Sequence, residues 1–384
     1  MTTQLLDSGS APAAQDRRES FVGGVVTVAR LELRQRVRST RWIIVLIIWT
    51  ALLLLLTALI RWSVFQAFDP VEVMGASVDQ EASATAGRTV FGIVVFLVLS
   101  LGALVVPALS STSINGDRSA GVLAMMQTTL LTPTQIVVGK LAAAWAVALA
   151  LLVCALPNIA WAYLQGGTPL GRLLVVVALL AVVLLVICAI GLGWSAVAAR
   201  TSSSALLTYL SVALLGLGLP LLFALSVPLV STREQVTVRN FEFNADGTTG
   251  RCVTQRQEES VFHSERSWWL LAASPYVIVA DAAPRPPGTG MASDPLTAIR
   301  SGVREARLGP NPIRDWCGPG ADQEMTAQTY EQREAARDKE RERLGMTWPY
   351  GLAVNLLLGG GFTALAIRRL RTPARALPRG TRIA

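Results

Sequence analysis

The sequence predicts an all-α polytopic membrane protein: six transmembrane helices, an amphipathic helix ahead of them, and a large extracytoplasmic insertion before the last span. Three observations lead there. Only 16% of the 384 residues are charged against 52% hydrophobic, the mean hydropathy is +0.47, and the charges crowd into a few segments. Six uncharged runs result, at 42–60, 89–116, 141–171, 173–199, 201–232 and 344–367. Each approaches or exceeds the roughly 20 apolar residues that cross a bilayer. Arginine also gathers at both ends: seven arginines against four acids up to Arg41, and six arginines with no acid after Ile367. Basic flanks mark the cytoplasmic side, so both termini are expected there, as an even number of spans requires. Lysine occurs only as Lys140 and Lys339. Such arginine bias suggests a GC-rich bacterial source and hence a bacterial plasma membrane.

In chain order, residues 1–20 are polar and small, read as a disordered cytoplasmic tail. No apolar core follows the first arginines closely enough for a signal peptide. Residues 21–41 form an amphipathic helix. Val22, Val25, Val26, Ala29, Leu33 and Val37 share one direction, with Arg30, Arg34, Arg38 and Arg41 on the adjoining flank. Such a helix suits the headgroup layer; packing on protein is the alternative. Residues 42–230 carry the first five spans, placed at 42–62, 89–112, 141–164, 173–196 and 205–229. Trp42 and Trp62 bracket the first at about one hydrocarbon thickness. Between spans two and three, 115–140 must leave the membrane, turn and re-enter. Asp117 suits the first turn of a short amphipathic helix there, Leu123, Met126 and Leu130 follow at helical spacing, and Thr132-Pro133 stops that helix.

Segment 231–346 is extracytoplasmic, with 15 basic and 17 acidic residues. It opens with the alternation Val236, Val238, Phe241, Phe243, a strand or hairpin signal. Residues 267–281 are uncharged up to Asp281 but too short to span, so they read as a re-entrant or interfacial element. The sixth span, 347–367, leads into a basic cytoplasmic tail at 368–384.

Several chemistries are missing. No phosphate-binding Gly-x-x-x-x-Gly-Lys-[Ser/Thr] loop occurs, nor His-Glu-x-x-His, nor Cys-x-x-Cys. No catalytic, cofactor-binding or metal-ligating set is therefore assigned. The one histidine, His263, reads as an exposed residue of the insertion. The trimmed spans hold no ionisable residue, whereas ion-coupled carriers usually keep one. Asn158 and Asn355 are polar span residues that either line a pathway or hold helices together. Cys154 and Cys188 read as buried apolar residues. Cys252 and Cys317, both in the insertion, are a candidate disulfide. The +8 net charge collects at the two ends with no aromatic-interleaved basic patch, so no nucleic-acid partner is expected.

Pro107-Ala108-Leu109, Ile114, Asp117-Arg118, Gly121, Leu123, Leu130-Leu131-Thr132-Pro133, Ile136 and Gly139-Lys140-Leu141 form a pattern. It resembles the loop between spans two and three in permease subunits of type-2 ABC exporters. The resemblance implies that 21–41 is the elbow helix of such permeases. It also implies that Asp117, Arg118, Gly121, Leu123, Thr132 and Pro133 belong to a loop that couples to a separate ATPase subunit. ATP would be bound and hydrolysed on that partner and not on this chain, which is then no enzyme itself. A second permease, identical or a sister subunit, would complete the pathway within the lipid bilayer. Residues 274–281, from Ser274-Pro275-Tyr276 to Asp281, resemble a segment found before the last span in the same family. The alternative is a membrane-anchored sensor or assembly protein acting through 231–346.

Overall fold

The structure is a computed structural model. It describes residues 20–67, 76–121, 131–164, 169–243, 250–283, 294–311, 313–315 and 343–371, with 332, 335–337 and 339–341. The chain begins with α1 (Phe21–Val37), capped by Ser20, whose hydroxyl accepts the Gly23 N–H at 3.1 Å. Then follow α2 (Thr40–Ala67), α3 (Ala76–Ser110), the short α4 (Asn115–Ser119), α5 (Pro133–Leu164) and α6 (Leu170–Val197). Next, α7 (Thr201–Ala213) runs through a π-helical turn, Leu214–Gly218, into α8 (Leu219–Leu225) and α9 (Val227–Val230). Pro220 in α8 has no N–H for the carbonyl one turn back, and a π turn beside it absorbs the interrupted ladder.

Six helical stretches among the described residues are long and apolar enough to cross a membrane: Trp42–Val64, Ala86–Ser119, Pro133–Leu164, Leu170–Val197, Thr201–Leu225 and Trp348–Leu370. The chain is thus a multi-pass membrane protein. One boundary differs from the sequence reading in a way that matters. The third helix starts at Pro133, not near 141, and so carries Lys140 in its interior. Trimming spans to uncharged runs misplaces a start wherever a buried charge is neutralised by neighbours, as Lys140 is. Thr132-Pro133 accordingly opens this helix. The single short helix expected from Asp117 past Leu123 is interrupted: α4 ends at Ser119 and Gly121 turns the chain at φ +72°, while 122–130 lie outside the described residues.

Phe91, Leu99, Leu151, Leu180 and Ile278 are fully buried in one core built from α2, α3, α5, α6 and the insertion. Outward, α2 and α7–α8 leave Ile47, Ile48, Leu206, Leu217 and Leu221 exposed. In a membrane protein such faces meet lipid, which is as apolar as they are.

The insertion holds the chain's described sheet, so the all-α description applies to the spans. Strand β1 (Ser231–Phe243) pairs antiparallel with β2 (Gly250–Phe262), from Ser231 opposite Phe262 to Phe243 opposite Gly250. Thirteen residues a strand at about 3.4 Å each give a hairpin about 44 Å long. Helices α10 (Trp268–Ala272), α11 (Pro275–Ala282) and α12 (Pro295–Leu308) follow, then β3 (Ile313–Asp315), parallel to β1, and finally α13 (Trp348–Leu370). Nearly all of α11 is buried, with Ile278, Val279 and Ala280 in the main core. The uncharged stretch 267–280 therefore enters the bundle without crossing it. Contact with α13 is backbone-close: a Cβ on Gly351 would fall 2.0 Å from the Ala272 carbonyl oxygen.

Candidate functional site

The loop resemblance points to 115–140, and the described parts of that loop meet α1. Two features fix the approach. Thr132 and Gln135 form a reciprocal cap at the start of α5: the Thr132 N–H donates to Gln135 Oε1 at 2.8 Å, and the Gln135 N–H to Thr132 Oγ1 at 3.3 Å. Pro133 follows the cap in the first turn, where its missing N–H costs nothing. Glycines then let α1 cross α5 closely. A Cβ on Gly24 would sit 2.5 Å from Gln135 Nε2, and one on Gly139 would sit 2.7 Å from Val28 Cβ and 3.0 Å from the Val25 carbonyl oxygen. With Val28 seated on Gly139, Glu32 lies one helical turn further along the same face of α1.

That crossing assembles a buried charge cluster. Lys140 Nζ pairs with Glu32 Oε1 of α1 and with Asp117 Oδ2 of α4. The Lys140 side chain is wholly buried, while those of Glu32 and Asp117 are 11% and 27% exposed. One ammonium thus ties together three segments that are remote in sequence. Its desolvation is tolerable only because both carboxylates face it, and removing the cation would strand them.

The other side of the loop root is fastened to α6 and α7. Ser195 Oγ accepts the N–H groups of Ile114 and Asn115 at 2.9 and 3.2 Å and donates to Asn115 Oδ1. Asn115 Nδ2 donates to the carbonyls of Ala198 and Arg200, both at 3.3 Å. Ser204 Oγ donates to the Ser111 carbonyl at 2.7 Å, and an Arg36 nitrogen to that of Leu109 at 3.3 Å. Beneath lies an apolar plug of Ile114, Ile136, Val137, Leu192, Ala196, Ala366 and Leu370. Displacement of α4 would therefore be felt by α1, α5, α6, α7 and α13.

Of the six loop residues read from sequence, Asp117 joins the cluster, Thr132 caps α5 and Pro133 opens its first turn. Arg118 is half-buried on α4 outside the cluster. Gly121 has φ +72°, the left-handed conformation that glycine takes most easily. Leu123 lies outside the described residues. Sequence reasoning missed Glu32, Asn115 and Ser195, and used Lys140 only as part of a motif. A signal was present for Glu32, the only acid among the five arginines of 21–41.

No family model and no curated protein matches the chain.

The opposite end has its own anchors. Asp281, 1% exposed, accepts from Arg304 Nε at 2.7 Å and from the Thr347 and Trp348 N–H groups at 2.6 and 3.0 Å, capping α13. Asn355 Nδ2 donates to the Ala273 carbonyl at 2.8 Å, holding α13 to the turn between α10 and α11. Asn158 is buried in α5, its Nδ2 without a partner among the described residues. Cys252 is disulfide-bonded, and Cys317 lies outside the described residues.

His263 overturns its reading as an exposed residue. Its ring, 13% exposed, lies between Glu265 Oε1 at 2.7 Å from Nδ1 and Glu234 Oε1 at 2.9 Å from Nε2. The hydrogen bond to Glu265, then that to Glu234, raises its pKa above the ordinary imidazole value. Bonds from Thr232 and then His263 lower that of Glu234. Sequence spacing gave no hint, because Glu234 is brought in by strand pairing.

Proposed function

We propose that the chain is the membrane-spanning permease subunit of an ATP-driven exporter of the type-2 ABC class, working with a separate ATPase subunit and a second permease. The observation that carries this is the Glu32–Lys140–Asp117 cluster at the root of the loop. A loop that only connected two spans would need no such anchoring. One that receives force must be joined stiffly to the helices it moves, and α4 is joined to α1, α5 and α6 by buried polar contacts. The sequence offers no phosphate-binding loop, so the energy comes from outside. A ligand shifts a conformational equilibrium only by its differential affinity for the two states; here that ligand is the nucleotide-bound ATPase. On this reading α1 is the elbow helix, the loop side is cytoplasmic, and 231–346 lies outside the cell.

The test is affinity purification of the tagged chain in mild detergent with identification of the co-purifying proteins. An ABC ATPase in near-stoichiometric amount is expected. A histidine kinase or envelope assembly factor in its place, with no ATPase, would replace this reading by the sensor one.

A further inference from the structure

The two faces of α1 carry different charges. Inward, Glu32 meets Lys140, and Arg36 reaches the Leu109 carbonyl. Outward, Arg30, Arg34 and Arg38 are exposed at successive turns and have no acidic partner among the described residues. Beside them the apolar stripe is uncovered: Val22, Val26 and Val37 are 67%, 47% and 61% exposed. Val26, Ala29, Arg30, Leu33, Arg34 and Val37 together make up this open face of α1. Packing on protein thus accounts for the Gly24–Val28–Glu32 face alone.

The position of α1 indicates what covers the other face. Only Arg38 and Ser39 separate it from α2, whose span begins at Trp42. The outward face therefore opens at the level where the first span meets its interface. An apolar row for acyl chains beside a cationic row for phosphates is the chemistry of a lipid surface. With its sole carboxylate turned inward, the helix has nothing on this face to repel an anion.

We propose that the outward face of α1 binds anionic phospholipid of the surrounding bilayer, with Arg30 and Arg34 on headgroup phosphates and Val26, Ala29, Leu33 and Val37 against the acyl chains. This makes α1 a two-sided connector, lipid on one face and the Lys140 cluster on the other. The inference needs α1 to lie at the membrane surface but does not depend on an ATPase partner.

The experiment is native mass spectrometry of the full chain released from detergent, titrated with phosphatidylglycerol or with phosphatidylcholine of the same acyl chains. A basic residue near an anionic surface contributes about 1 kcal/mol, or roughly fivefold in binding. Wild type should retain phosphatidylglycerol preferentially. Arg30→Gln/Arg34→Gln should weaken that retention about thirtyfold. Arg256→Gln/Arg314→Gln removes equal charge from the sheet, outside the spans, and should change little. Gel filtration and circular dichroism check folding; the single substitutions, each worth about fivefold, serve if the double variant is damaged. Equal retention of both lipids by wild type would overturn the proposal, as would equal loss in the two double variants or none in the first.

Discussion

Replacing Lys140 by Met tests the charge cluster most severely. The substitution keeps most of the stem's bulk and removes the one cation that Glu32 and Asp117 share. Stranding a buried partner typically costs 3–5 kcal/mol. The lower end applies here, about 3 kcal/mol, because the Asp117 side chain is 27% exposed and partly screened by solvent. The cost should be local. Glu32 is the charged tie between α1 and α5, so undocking of α1 should become roughly a hundredfold more frequent. Hydrogen–deuterium exchange in lipid nanodiscs measures this. Amides of α1 from 24 to 34 should lose about a hundredfold in protection, while those of α6 stay unchanged. The triple variant Lys140→Met, Glu32→Gln, Asp117→Asn should regain much of the loss, since neutral replacement of a buried ion pair is often tolerated. Unchanged exchange of α1 in Lys140→Met would refute the reasoning; so would a triple variant no better than the single one.

At the other end, Asp281→Ala strands Arg304 and uncaps α13, and should cost about 3–5 kcal/mol, read as a lowered melting temperature with Arg304→Met partly compensating. His263 should fasten the base of the hairpin in a pH-dependent way. Its pKa is raised in the folded protein, so its contribution is full below the unfolded value near pH 6.5 and is lost as pH rises through the folded one. Glu234, lowered, contributes in the opposite sense, its share disappearing as pH falls through its own folded value. Proteolysis at the hairpin base should thus increase from pH 6 to pH 9 in wild type and lose this dependence in His263→Gln. If Cys252 is bonded to Cys317, Cys252→Ser should abolish a mobility shift on non-reducing gels, and thiol titration of denatured, unreduced wild type should find only Cys154 and Cys188.

The six spans were legible because a bilayer demands long uncharged helices, and composition shows them directly. The first turns of α5 were not. A reading that ends a span at the first charge stops at Leu141, whereas burial beside two carboxylates lets Lys140 sit within the helix. The hairpin was half legible: Val236 and Val238 alternate, but β2 presents Gln255, Arg256, Gln257, Glu258 and Glu259, a polar run with strand character only through pairing with β1. The polar anchors were least legible. Asp281 and Thr347 are joined across 66 positions, Lys140 and Glu32 across 108. Such pairs are set by how helices cross, at Gly139 on Val28 and Gly351 on Ala272, and one sequence does not encode a crossing as a visible period. For the apolar stripe of α1, periodicity found the residues, and burial showed which face the protein leaves uncovered.

The central claim is that the loop rooted in this cluster receives an ATPase. Leu123→Asp tests it most directly, because Leu123 lies in the connection between the second and third spans. If its side chain enters the contact between the chains, burying an unpaired carboxylate there costs at least about 2 kcal/mol, or some thirtyfold in association. The measurement is the amount of ATPase co-purifying with the variant at matched abundance in the membrane. The account predicts a variant inserted as wild type is, with most of the ATPase lost. A stably inserted variant that keeps its full ATPase complement would contradict it.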